Sequence, residues 1–157
     1  MNLRPLSGGS SAETLDPRAV LEVCLCHNVR RAARAISRAY DTVLAPAGLT
    51  CGQFTILAAV AALNPMPLPV LREVLALDRT SLNRTLKPLE ERGLLDLSAG
   101  AGRRPGQVSL TAEGEAAFRE AAALWRAAQA ETSQKIGPGR TGQLLALTAA
   151  ATASLRS

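Results

Sequence analysis

At 157 residues with a formal net charge of +5, the chain holds enough sequence for one domain and is 47% apolar, 20% charged and only 3% aromatic. That balance excludes an intrinsically disordered chain, and the lack of any apolar run of bilayer length excludes a single membrane-spanning helix. Ala and Leu dominate, so a mostly helical core is expected; the cation excess, nearly all Arg, suits phosphate and base-edge contacts but equally an ordinary solvated surface.

Residues 1–16 carry Ser7, Gly8, Gly9, Ser10 and Ser11 without periodicity and are expected to form a flexible arm. From Pro17 to Leu44, apolar residues recur at steps of three and four (Leu21, Leu25, Val29, Ala32, Ile36, Tyr40, Val43), which predicts one long amphipathic helix. Asp16 is its cap and Pro17 its first position. On another face Arg30, Arg34 and Arg38, joined by Arg31, form a basic stripe that is either solvated or turned toward DNA phosphate or an anionic ligand.

Pro46 and Gly48 interrupt this pattern, and Thr50 is placed to cap a second helix holding Phe54, Leu57, Val60 and Ala61 and ending near Asn64. After Pro65, Pro67 and Pro69, residues Val70, Leu71, Val74 and Leu75 predict a short third helix. The turn Ala76-Leu77-Asp78 leads into a fourth, with Leu82, Leu86 and Leu89 inward and Arg79, Thr80, Ser81, Asn83, Arg84 and Lys87 outward. Gly93 is expected to stop it, while Pro88 removes one backbone donor and predicts a kink near Arg84.

The period then changes to alternation: Leu95 and Leu97 before a Gly-rich loop, Val108 and Leu110 after it, which predicts a β-hairpin with Arg103 and Arg104 at its tip. Thr111 caps a long helix whose inner face includes Phe118, Ala121, Trp125 and Thr132. Gly137, Pro138 and Gly139 break it, and a last helix from about Thr141 carries Leu144, Leu145, Leu147 and Leu155.

Two short helices joined by a tight turn and followed by a hairpin with a basic tip are in winged helix-turn-helix order. A helix of that size fits the major groove, where small polar and Arg side chains reach base edges, and a basic wing reaches the minor groove or the phosphates. The stretch from Leu49 through Thr50, Cys51, Gly52, Gln53 and Phe54 to Leu57 resembles the second-helix signature of the MarR (multiple antibiotic resistance regulator) family. The run from Asp78 to Leu95 resembles that family's recognition helix and wing entry, and Arg104 through Val108-Ser109-Leu110-Thr111 to Gly114 resembles the return of its wing. One departure stands out: Gly102 occupies the place of the acid that usually orients the arginine equivalent to Arg104.

The resemblance implies a mostly α winged helix-turn-helix fold in the order α-α-α-α-β-β-α-α. Residues 49–111 would form the DNA-binding lobe, and residues 17–48 and 112–157 a helical dimerisation region. It also implies a homodimer on a pseudo-palindromic operator, with half-sites roughly 10 bp apart, read by Arg79, Thr80, Ser81, Asn83, Arg84, Lys87, Arg103 and Arg104. Independently, the apolar faces at both chain ends exceed what one small unit covers, so a partner surface is expected.

Family members commonly repress until a small aromatic acid or phenol binds between the two regions; here Arg30 or Arg34 is the candidate anion anchor. The alternative is a thiol-based peroxide sensor of the same fold using Cys26. Cys26 keeps the spacing to Thr50 found in that branch, and Tyr40 falls where the branch places a thiol-contacting tyrosine. Arg30 replaces its other tyrosine and, one turn from Cys26, would favour the thiolate; an inert small hydrophobe is the plainer reading of a cysteine on an apolar helix face. His27 points away from its neighbour on the helix and makes a poor base for it.

One histidine, no suggestively paired carboxylates, no phosphate-cradling glycine loop and no zinc spacing among three cysteines argue against an enzyme, a cofactor or a metal. A helical scaffold meeting protein instead of DNA is the alternative from another class, and the basic wing tip argues against it. With no leader-like segment at the N-terminus, a cytoplasmic protein without a membrane partner is expected.

Overall fold

A computed structural model describes residues 15–98, 100, 102 and 105–155. They divide into two units, the first ending at Ala35 and the second beginning at Ile36. Among the described residues no single helix is long and apolar enough to cross a membrane.

The first unit is helical but not continuous. Helix α1 (Pro17–Val23) begins at Asp16, which accepts from the Arg18 N–H at 2.9 Å, and ends at Cys24, whose ψ of 109° is extended. Helix α2 (Leu25–Leu44) then starts afresh, so the single helix expected from Pro17 to Leu44 is in fact two. The physical cause lies in two side chains that no periodicity reveals. Asn28 Nδ2 donates to the carbonyls of Leu21, Glu22 and Cys24 at 3.3, 3.1 and 3.0 Å, satisfying acceptors that a helix end leaves open. The sulfur of Cys24 accepts from the His27 N–H at 3.4 Å, as a cap for α2. Leu21, Leu25 and Val29, expected to face a core, are exposed.

In the second unit the end of α2 buries Tyr40 and Leu44. A 3-10 turn (Ala45–Ala47) closes on Gly48, whose φ of 64° is the left-handed conformation that glycine accepts without cost. Thr50 and Gln53 form a reciprocal capping box for α3 (Cys51–Ala62), with Gln53 N–H on Thr50 Oγ1 at 3.2 Å and Thr50 N–H on Gln53 Oε1 at 3.0 Å. Helix α3 is apolar on most sides, and Phe54, Ile56, Leu57 and Val60 are all buried, as befits a helix running through the core.

Strand β1 (Met66–Pro67) was not anticipated; two residues are too few to display a period, and its proline is tolerated because the strand lies at a sheet edge. It leads straight into α4 (Leu68–Val74), which begins two residues before the expected Val70. The turn after α4 is a Schellman motif, with the Leu77 N–H on the Arg72 carbonyl at 3.0 Å and the Ala76 N–H on the Glu73 carbonyl at 3.1 Å. Its left-handed residue is Ala76 (φ 50°), not glycine. Replacing Ala76 by Gly relieves that conformation and is expected to stabilise the fold by up to about 1 kcal/mol; a lower thermal midpoint would show that the turn carries no strain.

Helix α5 (Arg79–Glu91) is one element through Pro88, and Gly93 (φ 69°) follows its end as expected. Strands β2 (Leu95–Ser98) and β3 (Gln107–Leu110) form the hairpin, pairing Leu95 with Leu110 and Leu97 with Val108; β1 adds to the far side of β3, giving the antiparallel order β1-β3-β2. Helix α6 (Ala112–Ile136) is capped by Thr111. Helix α7 (Pro138–Ser154) starts at Pro138, not near Thr141: the Gly137-Pro138-Gly139 sequence ends one helix and its proline opens the next. The core joins Leu44, Leu57, Val60, Leu71, Leu86, Leu89 and Val108, each no more than 1% exposed. Trp125 stacks on Phe54 with ring centres 5.8 Å apart and remains partly exposed.

Candidate nucleic-acid interface

Helix α5 has two faces of opposite character. Leu82, Leu86 and Leu89 are buried, anchoring it to the core, while Arg79, Thr80, Asn83, Arg84 and Lys87 are exposed. The start of the helix is fixed by Asp78, which accepts from the Ser81 N–H at 2.8 Å and from the Ser81 hydroxyl at 2.7 Å. The Ser81 hydroxyl, then the Ser81 backbone N–H, hold the Asp78 carboxyl below the ordinary carboxylate range. The sign follows: this cap supports the fold above the unfolded-state value and is lost as pH falls through the folded-state value. Ser81 is half-buried and gives its proton to that cap, so its hydroxyl has only lone pairs left to offer.

Two ion pairs are formed among the described residues, Lys87 with Glu91 at 3.6 Å and Lys135 with Glu131 at 2.6 Å, both on exposed helix faces. Arg79 and Arg84 therefore have no carboxylate partner among the described residues, and Lys87 is loosely shared with its own helix. Arg103 and Arg104 lie outside the described residues. The base of the wing is fixed independently of its tip: the Leu68 N–H donates to the Gly106 carbonyl at 2.9 Å, and a Cβ on Gly106 would come within 3.0 Å of both Leu68 Cδ1 and the Ser98 carbonyl oxygen.

Between α4, α5 and this wing base lies a groove of about 320 Å³ lined by Leu68, Pro69, Arg72, Arg79, Leu82, Asn83, Pro105 and Gly106. Arg72 is the residue that sequence reasoning missed. The only signal for it was its place one turn after Leu68 on a helix too short to display an outward stripe.

The other candidates sit elsewhere. Arg30 and Arg34 line a shallow cleft of about 330 Å³ on the first unit with Cys24, Cys26 and His27; Cys26 is exposed. Tyr40 is buried in the second unit, and its hydroxyl donates to Gln129 Oε1; burial, then the neighbouring Cys51, pushes its pKa up. Cys51 is half-buried, and burial followed by the Asp41 carboxylate raises its thiol pKa, against a smaller lowering from Thr55. Cys51 therefore favours the fold while protonated, and that contribution is lost as the pH rises through its folded-state value. Iodoacetamide at pH 8 is expected to alkylate Cys51 more slowly in the native protein than in urea, read by peptide mass spectrometry; equal rates would mean the raised pKa is not real.

Comparison with known proteins agrees with this arrangement. The family model described as MarR family matches residues 47–104. The uncharacterized HTH-type transcriptional regulator YwoH of Bacillus subtilis (strain 168) is 30% identical over 96 residues, covering 61% of this chain and 70% of the relative. The crystal structure of the M. tuberculosis transcriptional regulator MosR in complex with DNA is 37% identical, covers 84% of this chain and 98% of its own, and superposes with a TM-score of 0.71. CouR from Rhodococcus jostii RHA1, crystallised with p-coumaroyl-CoA, is 20% identical over 84% of this chain and 94% of its own with a TM-score of 0.69, a likeness of fold. With a matched recognition helix and wing entry, a relative covered over most of its length and a shared fold, this chain belongs to the MarR family of winged helix-turn-helix transcriptional regulators.

Proposed function

We propose that the protein binds a pseudo-palindromic operator as a homodimer, acts as a repressor, and is released by a small aromatic acid or phenol. The observation that carries DNA recognition is the exposed polar face of α5. Arg79, Thr80, Asn83 and Arg84 project from a helix whose opposite face is locked into the core, so they are presented rigidly. Lys87 adds charge beside them, Ser81 fixes the helix start, and Arg103 and Arg104 are assigned to the wing tip and the neighbouring groove.

Dimerisation through residues 17–48 and 112–157 is supported by apolar side chains left uncovered at both ends, including Leu21, Leu25 and Val29 on the first helices and Leu145 and Leu147 on α7. Arg30 and Arg34 are assigned as the anchor for an effector's carboxylate or phenolate, since both line one cleft and neither is ion-paired among the described residues.

The test is selection of bound duplexes from a randomised pool by the purified protein. Enrichment of an inverted repeat with half-sites about 10 bp apart, bound by a dimer and released by aromatic acids, is expected. A monomer, or a pool that stays random, would overturn the reading.

A second reading has its own support. Of the three cysteines Cys26 is exposed and shares its cleft with Arg30, whereas Cys51 is held back as a thiol. In it the Cys26 thiolate attacks the peroxide O–O bond, becomes a sulfenic acid, and water or an alcohol leaves. If Cys26→Ser releases DNA in peroxide as readily as the parent protein, this second reading is wrong.

A further inference from the structure

We infer that the groove between α4, α5 and the wing base seats a phosphodiester of the bound duplex, held jointly by Arg72 and Arg79. The inference rests on the DNA-binding reading above and adds to it a phosphate contact on the first helix of the helix-turn-helix.

Three features make the groove suited to this group. Its cations come from two helices: Arg72 lies one turn after Leu68 on α4, and Arg79 lies one turn before Asn83 on α5, so each pair shares a helix face and all four residues line the same space. Neither guanidinium is neutralised by a carboxylate among the described residues, and Asn83, which lines the same space, supplies an amide donor. The remaining lining, Leu68, Pro69, Leu82, Pro105 and Gly106, is apolar or bare backbone, which matches a deoxyribose beside its phosphate better than it matches a second charged group.

The walls are also tied to one another. The Leu68 N–H to Gly106 carbonyl bond joins α4 to the wing base, and the Schellman turn at Arg72, Glu73, Ala76 and Leu77 joins α4 to α5. The carbonyl of Arg72 itself accepts in that turn, so its backbone is fixed relative to the start of α5. With the backbone at Arg72 fixed relative to the start of α5, a phosphate held by both side chains would set the register of the helix against the groove. The shared chemistry is a phosphate oxygen, and a free phosphate is the competing source of it.

The experiment measures duplex affinity against salt for the parent protein, Arg72→Ala and Arg72→Lys, on the selected operator and on an unrelated duplex. Arg72→Ala is expected to lower the magnitude of the log-log salt slope by about 1.8, about 0.9 for each of the two phosphate contacts a dimer loses, and to weaken both duplexes alike, by roughly 30- to 100-fold near physiological salt. Arg72→Lys should restore most of the slope, and the exposed position should leave the thermal midpoint of both variants unchanged. An unchanged slope with the parent protein still binding DNA overturns the phosphate seat alone, as does a loss confined to the operator, which would make Arg72 a base reader. If inorganic phosphate at constant ionic strength raises the midpoint of the parent protein but not of Arg72→Ala, while the duplex slopes agree, the groove is a small-anion site and the inference fails. A parent protein with no salt-sensitive binding to any duplex overturns both this inference and the regulator reading.

Discussion

Replacing Gly114 by alanine is expected to destabilise the fold by about 3 kcal/mol, although helix propensity alone would credit the change with a gain of roughly 1 kcal/mol. The first turn of α6 rests directly on the backbone where α5 hands over to β2. A Cβ at position 114 would stand 2.0 Å from the Leu94 carbonyl oxygen, 3.0 Å from its carbon and 3.2 Å from Leu110 Cδ2. Carbonyl groups do not rotate away as side-chain ends do, so the helix or the strand must move.

Three bonds oppose that movement: the Thr111 hydroxyl donates to the Gly93 carbonyl at 2.7 Å, the Thr111 N–H to the Leu94 carbonyl at 3.3 Å, and the Gly114 N–H to Thr111 Oγ1 at 3.0 Å. Urea unfolding of Gly114→Ala against Gly142→Ala separates the two effects. Gly142 is also helical, but a Cβ there meets nothing within 4 Å, so that variant is expected to be neutral or stabilised by up to about 1 kcal/mol. Equal behaviour of the two would mean that α6 has room to lift from Leu94.

The contrast bears on what the sequence could tell. Gly114 ends the stretch that resembles the family wing's return, yet no periodicity announces that a backbone carbonyl lies under it; close approach is a tertiary fact. The same limit explains the break at Cys24. The apolar stripe from Leu21 to Val43 is real, but Asn28 collects three carbonyls with one amide group, and this local bonding overrides the pattern.

Where pattern and local chemistry agree, the reading holds. Asp16, Thr50 and Thr111 cap the helices they were expected to cap, and Leu82, Leu86 and Leu89 are buried as their spacing required. The outward residues of α5 were legible for the same reason, being the complement of a clear apolar stripe. Arg72 was not, because a seven-residue helix with one buried leucine has too little inward face to define an outward one.

Helix α5 also supplies the sharpest functional expectation. Arg84→Ala should weaken binding to the selected operator by about 100- to 10,000-fold, the worth of two good bidentate contacts to base edges, one in each half-site, while unrelated duplexes lose only the share due to one charge per protomer. Its stability should stay within about 0.5 kcal/mol of the parent protein, because the side chain is exposed and pairs with no carboxylate among the described residues.

Two residues further along the same helix the expectation reverses. Leu86 is 1% exposed, and Leu86→Ala should cost about 2–5 kcal/mol of stability without changing which sequence a still-folded protein prefers. Pro88 sharpens the comparison, since it has no N–H to return to the Arg84 carbonyl, and the buried leucines on either side of Arg84 hold the helix to the core there. Fluorescence anisotropy on operator and unrelated duplexes, with denaturation of both variants, decides the matter. If Arg84→Ala weakens every duplex equally, its guanidinium lies on phosphate, and the discrimination between sequences must come from Asn83, Thr80 or the wing.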